Sequence, residues 1–131
     1  MPYRAPLGDI QFILDQVVPL APVAATGRYA EATPDLVEAI LTEAARLCDT
    51  VMAPLQRAGD LHPARLENGA VRSTPGFAEA FRQIAEGGWI GVSAPVEHGG
   101  MGLPQALNMA IHDMMSGACL ALGLNPLLTQ G

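Results

Sequence analysis

Lysine is absent from this 131-residue chain, and seven scattered arginines carry its whole positive charge against thirteen acidic residues, for a formal net charge of −6. Nucleic-acid binding needs a basic face that neutralises phosphates, so the charge pattern argues against it, and against an anionic membrane surface on the same ground. Cysteine is scarce too. Cys48 and Cys119 lie far apart with no second cysteine or histidine at ligand spacing, which supports neither a metal site nor a redox motif and favours two buried, reduced thiols. No apolar run reaches the length of a membrane span, and Met1-Pro2-Tyr3-Arg4-Ala5-Pro6 lacks the apolar core of a secretion signal, so a cytoplasmic protein is expected.

What the chain has is apolar content: half of its residues are hydrophobic and 15% are charged, with fourteen glycines and eleven prolines as punctuation. This composition excludes disorder for most of the length and suits one ordinary domain with several breaks. Asp9 opens a short amphipathic stretch with Ile10, Ile13, Leu14, Val17 and Val18 on one face and Phe12 beside it, closed by Pro19. Residues 20–32 read as a crossing loop with one helical turn, anchored by Tyr29. Thr33-Pro34 is a helix start, a hydroxyl cap followed by proline in the first turn. Leu36, Val37, Ile40, Leu41, Ala44, Leu47, Cys48, Val51 and Met52 then repeat at three and four, leaving Asp35, Glu38, Glu43, Arg46 and Asp49 for the outer face until Pro54 stops the helix. Residues 55–74 read as irregular, with a tight turn at Glu67-Asn68-Gly69-Ala70 joining two very short extended pieces. A second start at Thr74-Pro75 opens a helix with Phe77, Phe81, Ile84 and Ala85 inside, ended by Gly87-Gly88. Pro104 begins the last helix, apolar over more than half its circumference, which Gly117 interrupts before a continuation to Asn125-Pro126.

Between the last two helices runs Gly87-Gly88-Trp89-Ile90-Gly91-Val92-Ser93-Ala94-Pro95-Val96-Glu97-His98-Gly99-Gly100-Met101-Gly102, far more glycine than an ordinary connector needs. This ordered string resembles the first helical domain of the acyl-CoA dehydrogenases, in which a Gly-Trp/Leu-Ile-Gly turn leads to a Pro-Glu-x-x-Gly-Gly-x-Gly loop. The resemblance extends along the chain. Tyr3-Arg4-Ala5-Pro6-Leu7 with Asp9-Ile10 and Phe12-Ile13-Leu14 is similar to the amino-terminal extension of a longer bacterial subgroup that includes the methylmercaptopropionyl-CoA dehydrogenases, and Arg28-Tyr29-Ala30 fits it as well. Asn125-Pro126-Leu127-Leu128-Thr129-Gln130-Gly131 resembles the point where the family leads into its remaining helices.

The resemblance implies an all-α fold of about five helices in an orthogonal or up-and-down array, with residues 1–32 as an extension and 33–131 as the helical domain. It implies the amino-terminal fragment of a longer, FAD-dependent oxidoreductase of fatty acid metabolism that oxidises the Cα–Cβ bond of an acyl-CoA thioester, passes electrons to an acceptor and forms a homo-oligomer. The flavin-binding β domain and the glutamate base lie beyond this part of the family pattern, so the fragment is expected to be inactive and to bind no FAD, metal or membrane by itself. Its expected role is one wall of the acyl pocket, from Asp113, Met114, Gly117, Ala118 and Ala121. Family members carry acidic residues on the equivalent helix near the inner end of the tunnel; Asp113 keeps one, and Met114 stands where a second is common.

Plainer readings compete at several positions. Glu97-His98 and His112-Asp113 pair a carboxylate with an imidazole, but neighbours on a helix point about a quarter turn apart, so His112 and Asp113 read as two polar residues on the less buried side. Gly99-Gly100-Met101-Gly102 before a helix imitates a phosphate cradle, yet no buried strand precedes it and no lysine or hydroxyl follows, so a packing turn is preferred over a nucleotide site. Trp89 reads as a core anchor, and Met101, Met109, Met114 and Met115 as adaptable core with some share in the acyl channel. The alternative to the family reading is a helical interaction module whose apolar faces serve a partner protein.

Overall fold

A computed structural model describes residues 2–129, with the side chain of Thr129 left out; Met1, Gln130 and Gly131, and so the last two residues of the carboxy-terminal resemblance, lie outside the described residues. The elements are α1 (Leu7–Phe12), α2 (Ala21–Ala24), α3 (Pro34–Leu47), α4 (Ala53–Leu61), β1 (Arg65–Glu67), β2 (Ala70–Arg72), α5 (Phe77–Glu86) and α6 (Gln105–Thr129). The chain is mostly helical rather than purely all-α. At the expected turn, Asn68 (φ 50°) and Gly69 (φ 76°) both take the positive φ of a tight hairpin, and β1 pairs antiparallel with β2. The ribbon is short because Leu66 and Val71 meet across it in solvent, without a core beneath them.

Thr33 caps α3 as expected, its hydroxyl accepting from the Leu36 amide at 3.4 Å. Pro54 does not stop the chain of helices. A π turn, Cys48–Met52, widens the spiral by one residue directly after α3, and Pro54 then falls in the first turn of α4, where its missing N–H and its ring do no harm. Cys48 and Met52 are fully buried, as their spacing implies, and Asp49 is half-buried instead of on the outer face.

Thr74 also departs from its expected part. Gly76 (φ 87°) supplies the N-terminal turn of α5, while the Thr74 hydroxyl donates to the His62 carbonyl at 2.9 Å, tying the ribbon's exit to its entry. Ala80 and Ile84 carry the buried side of α5; Phe77 and Phe81 are half-buried and Ala85 is exposed. On the outer face Arg82 bridges Glu79 (2.6 Å) and Glu86 (2.7 Å), exposed pairs of small worth. Before α3, α1 runs into a second π turn at Ile13–Val17, so the expected five-residue face splits: Ile10 and Leu14 are buried, Ile13, Val17 and Val18 are exposed, and so is Phe12 beside them.

One core joins these elements. α6 packs on α3, on the π turn and on α4, with Leu107, Ile111, Met114 and Met115 meeting Leu41, Cys48 and Met52, while Ile84, Val92 and the extension's Ile10, Leu14 and Leu20 complete the cluster. Met101 and Met109, expected in the core, are exposed. Half-buried Trp89 packs against this cluster.

The glycine loop folds back on itself. Met101 donates to the Gly91 carbonyl (2.8 Å), Gly102 to Ala94 (2.9 Å) and Leu103 to Val92 (3.0 Å), drawing the backbone of 100–103 against that of 91–94. Only glycine allows this approach at position 100, since a methyl there would run into the Ala94 carbonyl group. Gly100→Ala is therefore expected to destabilise the domain by roughly 3 kcal/mol or more, because backbone has to move. Gly99→Ala meets nothing within 4 Å and has only to hold φ +82°, at a cost of about 1 to 2 kcal/mol. Thermal melting of both variants checks the order, and equal losses would show that φ, not the close approach, sets the loop.

Candidate functional site

The surface with the clearest functional character lies along α6. Its spiral is broken at Cys119 (φ −159°, ψ 88°), two residues after the interruption expected at Gly117, and it continues through Pro126 to Thr129 rather than ending at Asn125. Small residues at 117 and 118 let the first half approach its neighbours, and Pro126 removes the N–H that would bond the Leu122 carbonyl. One side of the helix is buried. The other is exposed at Met109, Asp113 and Gly117 before the break, at a spacing of four, and at Leu120, Ala121, Leu124 and Leu128 after it, an apolar stripe in two segments with Asp113 as its one charge.

The predicted pocket residues divide between the two sides. Asp113, Gly117 and Ala121 lie on the stripe; Met114 (0% exposed) and Ala118 (1%) point into the core behind it. His112 is buried at 4% exposure, not on the less buried side with Asp113, because the buried arc of α6 runs from Leu107 and Asn108 through Ile111 and His112 to Met115. The break at Cys119 means that no straight helical projection carries past residue 118.

Across this helix lies the amino-terminal arm. The Tyr3 hydroxyl donates to the Met114 carbonyl at 2.9 Å, and a methyl built on Gly117 would meet the Tyr3 ring at 3.0 Å. Asp49 holds the arm in place: one carboxylate oxygen accepts from the Ala5 amide (2.8 Å) and the other from the Arg4 guanidinium (3.3 Å). Burial pushes the Tyr3 phenol from 10.0 up to about 12, helped by Cys48, Asp49 and Asp113 nearby. Burial also pushes the Cys48 thiol from 9.0 up to about 12, with Asp49 adding to it, so Cys48 is protonated at neutral pH and is no nucleophile. Sequence reasoning missed Tyr3 and Asp49 as site residues; the one signal was an aromatic in an otherwise small and proline-rich arm.

Other candidates are weaker. The amides of Gly99, Gly100, Met101 and Gly102 each donate to a carbonyl inside the loop, so the phosphate-cradle alternative fails for want of free donors. Glu97 and His98 are exposed in a 3₁₀ turn, Val96–His98, and no three metal-ligating side chains gather among the described residues. A cavity of about 590 Å³ opens between the extension and α3, lined by Leu14, Pro19, Leu20, Ala24, Val37 and Leu41. No described helix is long and apolar enough to cross a membrane.

With this geometry in hand, two comparisons bear on the chain. Residues 34–131 match the family model described as acyl-CoA dehydrogenase, N-terminal domain. Over all 131 residues the chain is 40% identical to the 3-methylmercaptopropionyl-CoA dehydrogenase of Ruegeria pomeroyi, and it spans 22% of that relative's length.

The two raised pKa values fix a pH response. A group whose pKa is higher folded than unfolded gives stability that is intact below the unfolded value and lost as pH climbs toward the folded one. Melting temperature is therefore expected to fall from pH 9.0 toward about 12 for Cys48, and from 10.0 toward about 12 for Tyr3. Cys48→Ala should delay the onset of the decline. A melting temperature that stays flat between about pH 8 and about pH 11 would show that neither group is desolvated as described.

Proposed function

The chain belongs to the acyl-CoA dehydrogenase family, and from that membership we propose that it forms one wall of the acyl pocket in an enzyme that oxidises the Cα–Cβ bond of an acyl-CoA thioester. The observation that carries this reading is the apolar stripe along α6, exposed in this chain except where the Tyr3 ring lies against Gly117, and bearing the single carboxylate of Asp113. An acyl chain needs an apolar, water-excluding surface, and a helix with small residues at Gly117 and Ala121 leaves room for one. Asp113, Gly117 and Ala121 face the substrate in this reading; Met114 and Ala118 back the wall and hold it to the core. Residues 1–32 are the extension and 33–131 the domain.

The amount of exposed surface supports a further covering. The chain exposes 8028 Å², whereas a self-contained globular protein of 13.7 kDa exposes about 6600 Å². The excess is what docking against the rest of the enzyme, or against a second copy in a cytoplasmic homo-oligomer, would remove. Family membership implies FAD as the electron-accepting cofactor of the whole enzyme. The glycine-loop amides do not fit a flavin pyrophosphate, being bonded within the loop, and the role proposed for this chain is confined to the acyl side.

Dye reduction by the full-length enzyme tests the proposal, with 3-methylmercaptopropionyl-CoA, the substrate in the relative's name, as the first thioester and saturated acyl-CoAs after it. Ala121→Phe is expected to lower kcat/KM by about tenfold or more, equal to ~1.4 kcal/mol of lost transition-state binding, while the melting temperature of the 131-residue chain barely moves because position 121 is exposed. Full activity in Ala121→Phe would take the stripe out of the pocket. No turnover of any acyl-CoA by the wild-type enzyme would leave partner binding as the use of that face.

A further inference from the structure

Residues 1–33 lie outside the matched family domain, yet they place an aromatic side chain on the helix proposed as the pocket wall. Three of the five wall positions feel it. The Tyr3 ring lies against Gly117, its hydroxyl holds the Met114 carbonyl at 2.9 Å, and its phenol is close enough to Asp113 for the carboxylate to oppose its ionisation. The approach is close: a methyl on position 117 would sit 3.0 Å from the ring, so a larger residue there would have to push the ring aside. An arm that merely ran over the surface would not be anchored; this one is fixed on the far side of Tyr3 by two bonds from Asp49, to the Ala5 amide and to Arg4. The half-buried ring is thus held at one place along α6, against Gly117 of the stripe and two residues before the break at Cys119.

Resting on the pocket-wall reading above, we infer that Tyr3 is a specificity-determining residue: held against Gly117 by the Asp49 anchor, it closes the acyl pocket on one side and limits the length of acyl chain the enzyme accepts. A ring in that position occupies the volume of several methylenes, and a pocket that must shed even one extra methylene discriminates by roughly ten- to 200-fold. The extension therefore narrows a pocket whose general form is set by the domain at 34–131.

The test is the chain-length profile of kcat/KM, measured on the flavin-loaded full-length enzyme from butanoyl-CoA to decanoyl-CoA. In Tyr3→Ala the ratio of decanoyl to butanoyl kcat/KM is expected to rise at least about tenfold. Tyr3→Phe, which keeps the ring and loses the bond to Met114, should recover most of the wild-type ratio. A purely structural role would lower all chain lengths by one factor, so an unchanged ratio in Tyr3→Ala overturns the inference. Should Tyr3→Ala fail to assemble with flavin, Tyr3→Leu is judged by the same ratio. A wild-type enzyme that is active on acyl-CoAs but whose profile ignores Tyr3 defeats this inference alone, whereas a wild-type enzyme inactive on every acyl-CoA defeats the pocket-wall reading and this inference with it.

Discussion

The packing of α6 against the π turn at Cys48–Met52 is the contact on which the rest of the molecule depends. Cys48 and Met52 on one side and Ile111, Met114, Met115 and Cys119 on the other are all at or near zero exposure. The widened turn keeps Cys48 and Met52 inward, and it leaves Asp49 at the edge of the interface, where its carboxylate catches the amino-terminal arm. Thiol, thioether and aliphatic groups fill an irregular space between two broken helices, which is the setting that adaptable methionines suit.

Local chemistry explains which parts of this fold were legible in the sequence. The α3 cap, the Asn68-Gly69 turn and the single turn within residues 20–32 follow from side chains acting on their own backbone, and the structure has each of them. The errors arise where a residue answers to something distant. Pro54 looks like a terminator to a reading confined to α-helical spacing, and the π turn just before it changes that spacing. Thr74 has every mark of a cap until the His62 carbonyl is twelve residues behind it and within reach. The apolar residues of Phe12–Val18 satisfied a helical period, but with the second π turn all of them except Leu14 lie in solvent.

The candidate site was legible to the same depth. Resemblance led to α6 and to its residues 113–121, while the division of those residues between stripe and core required the actual packing, since Met114 and Ala118 sit one step round the helix from Asp113 and Gly117. Tyr3 was out of reach altogether. Its partners stand 45 to 114 positions along the chain, and one sequence without its relatives carries no signal that joins an arm to a helix over such a span. His112 fell the same way: its burial depends on which arc of α6 the core takes, and an apolar helix read alone offers more than one.

The extension has a second consequence, on the energetic side. Ile10, Leu14, Leu20 and Ala32 are buried in the same cluster as Leu41 and Ile111, so residues 1–32 are part of the domain's core and not an appended tail. Burying a large aliphatic side chain contributes about 1.5 to 3 kcal/mol before chain entropy is subtracted, which for Ile10, Leu14 and Leu20 together is comparable to the whole net stability of a small domain. The arm at Tyr3 is thereby held at both ends, by its own bonds to Asp49 and by α1 docked on α3 behind it. A side chain that is to define the limit of a pocket has to resist the push of a substrate that is slightly too long. Core packing of α1 behind the arm and the part-buried bond from the Ala5 amide to Asp49 supply that resistance, whereas the exposed Arg4–Asp49 pair, which water and salt weaken, adds little.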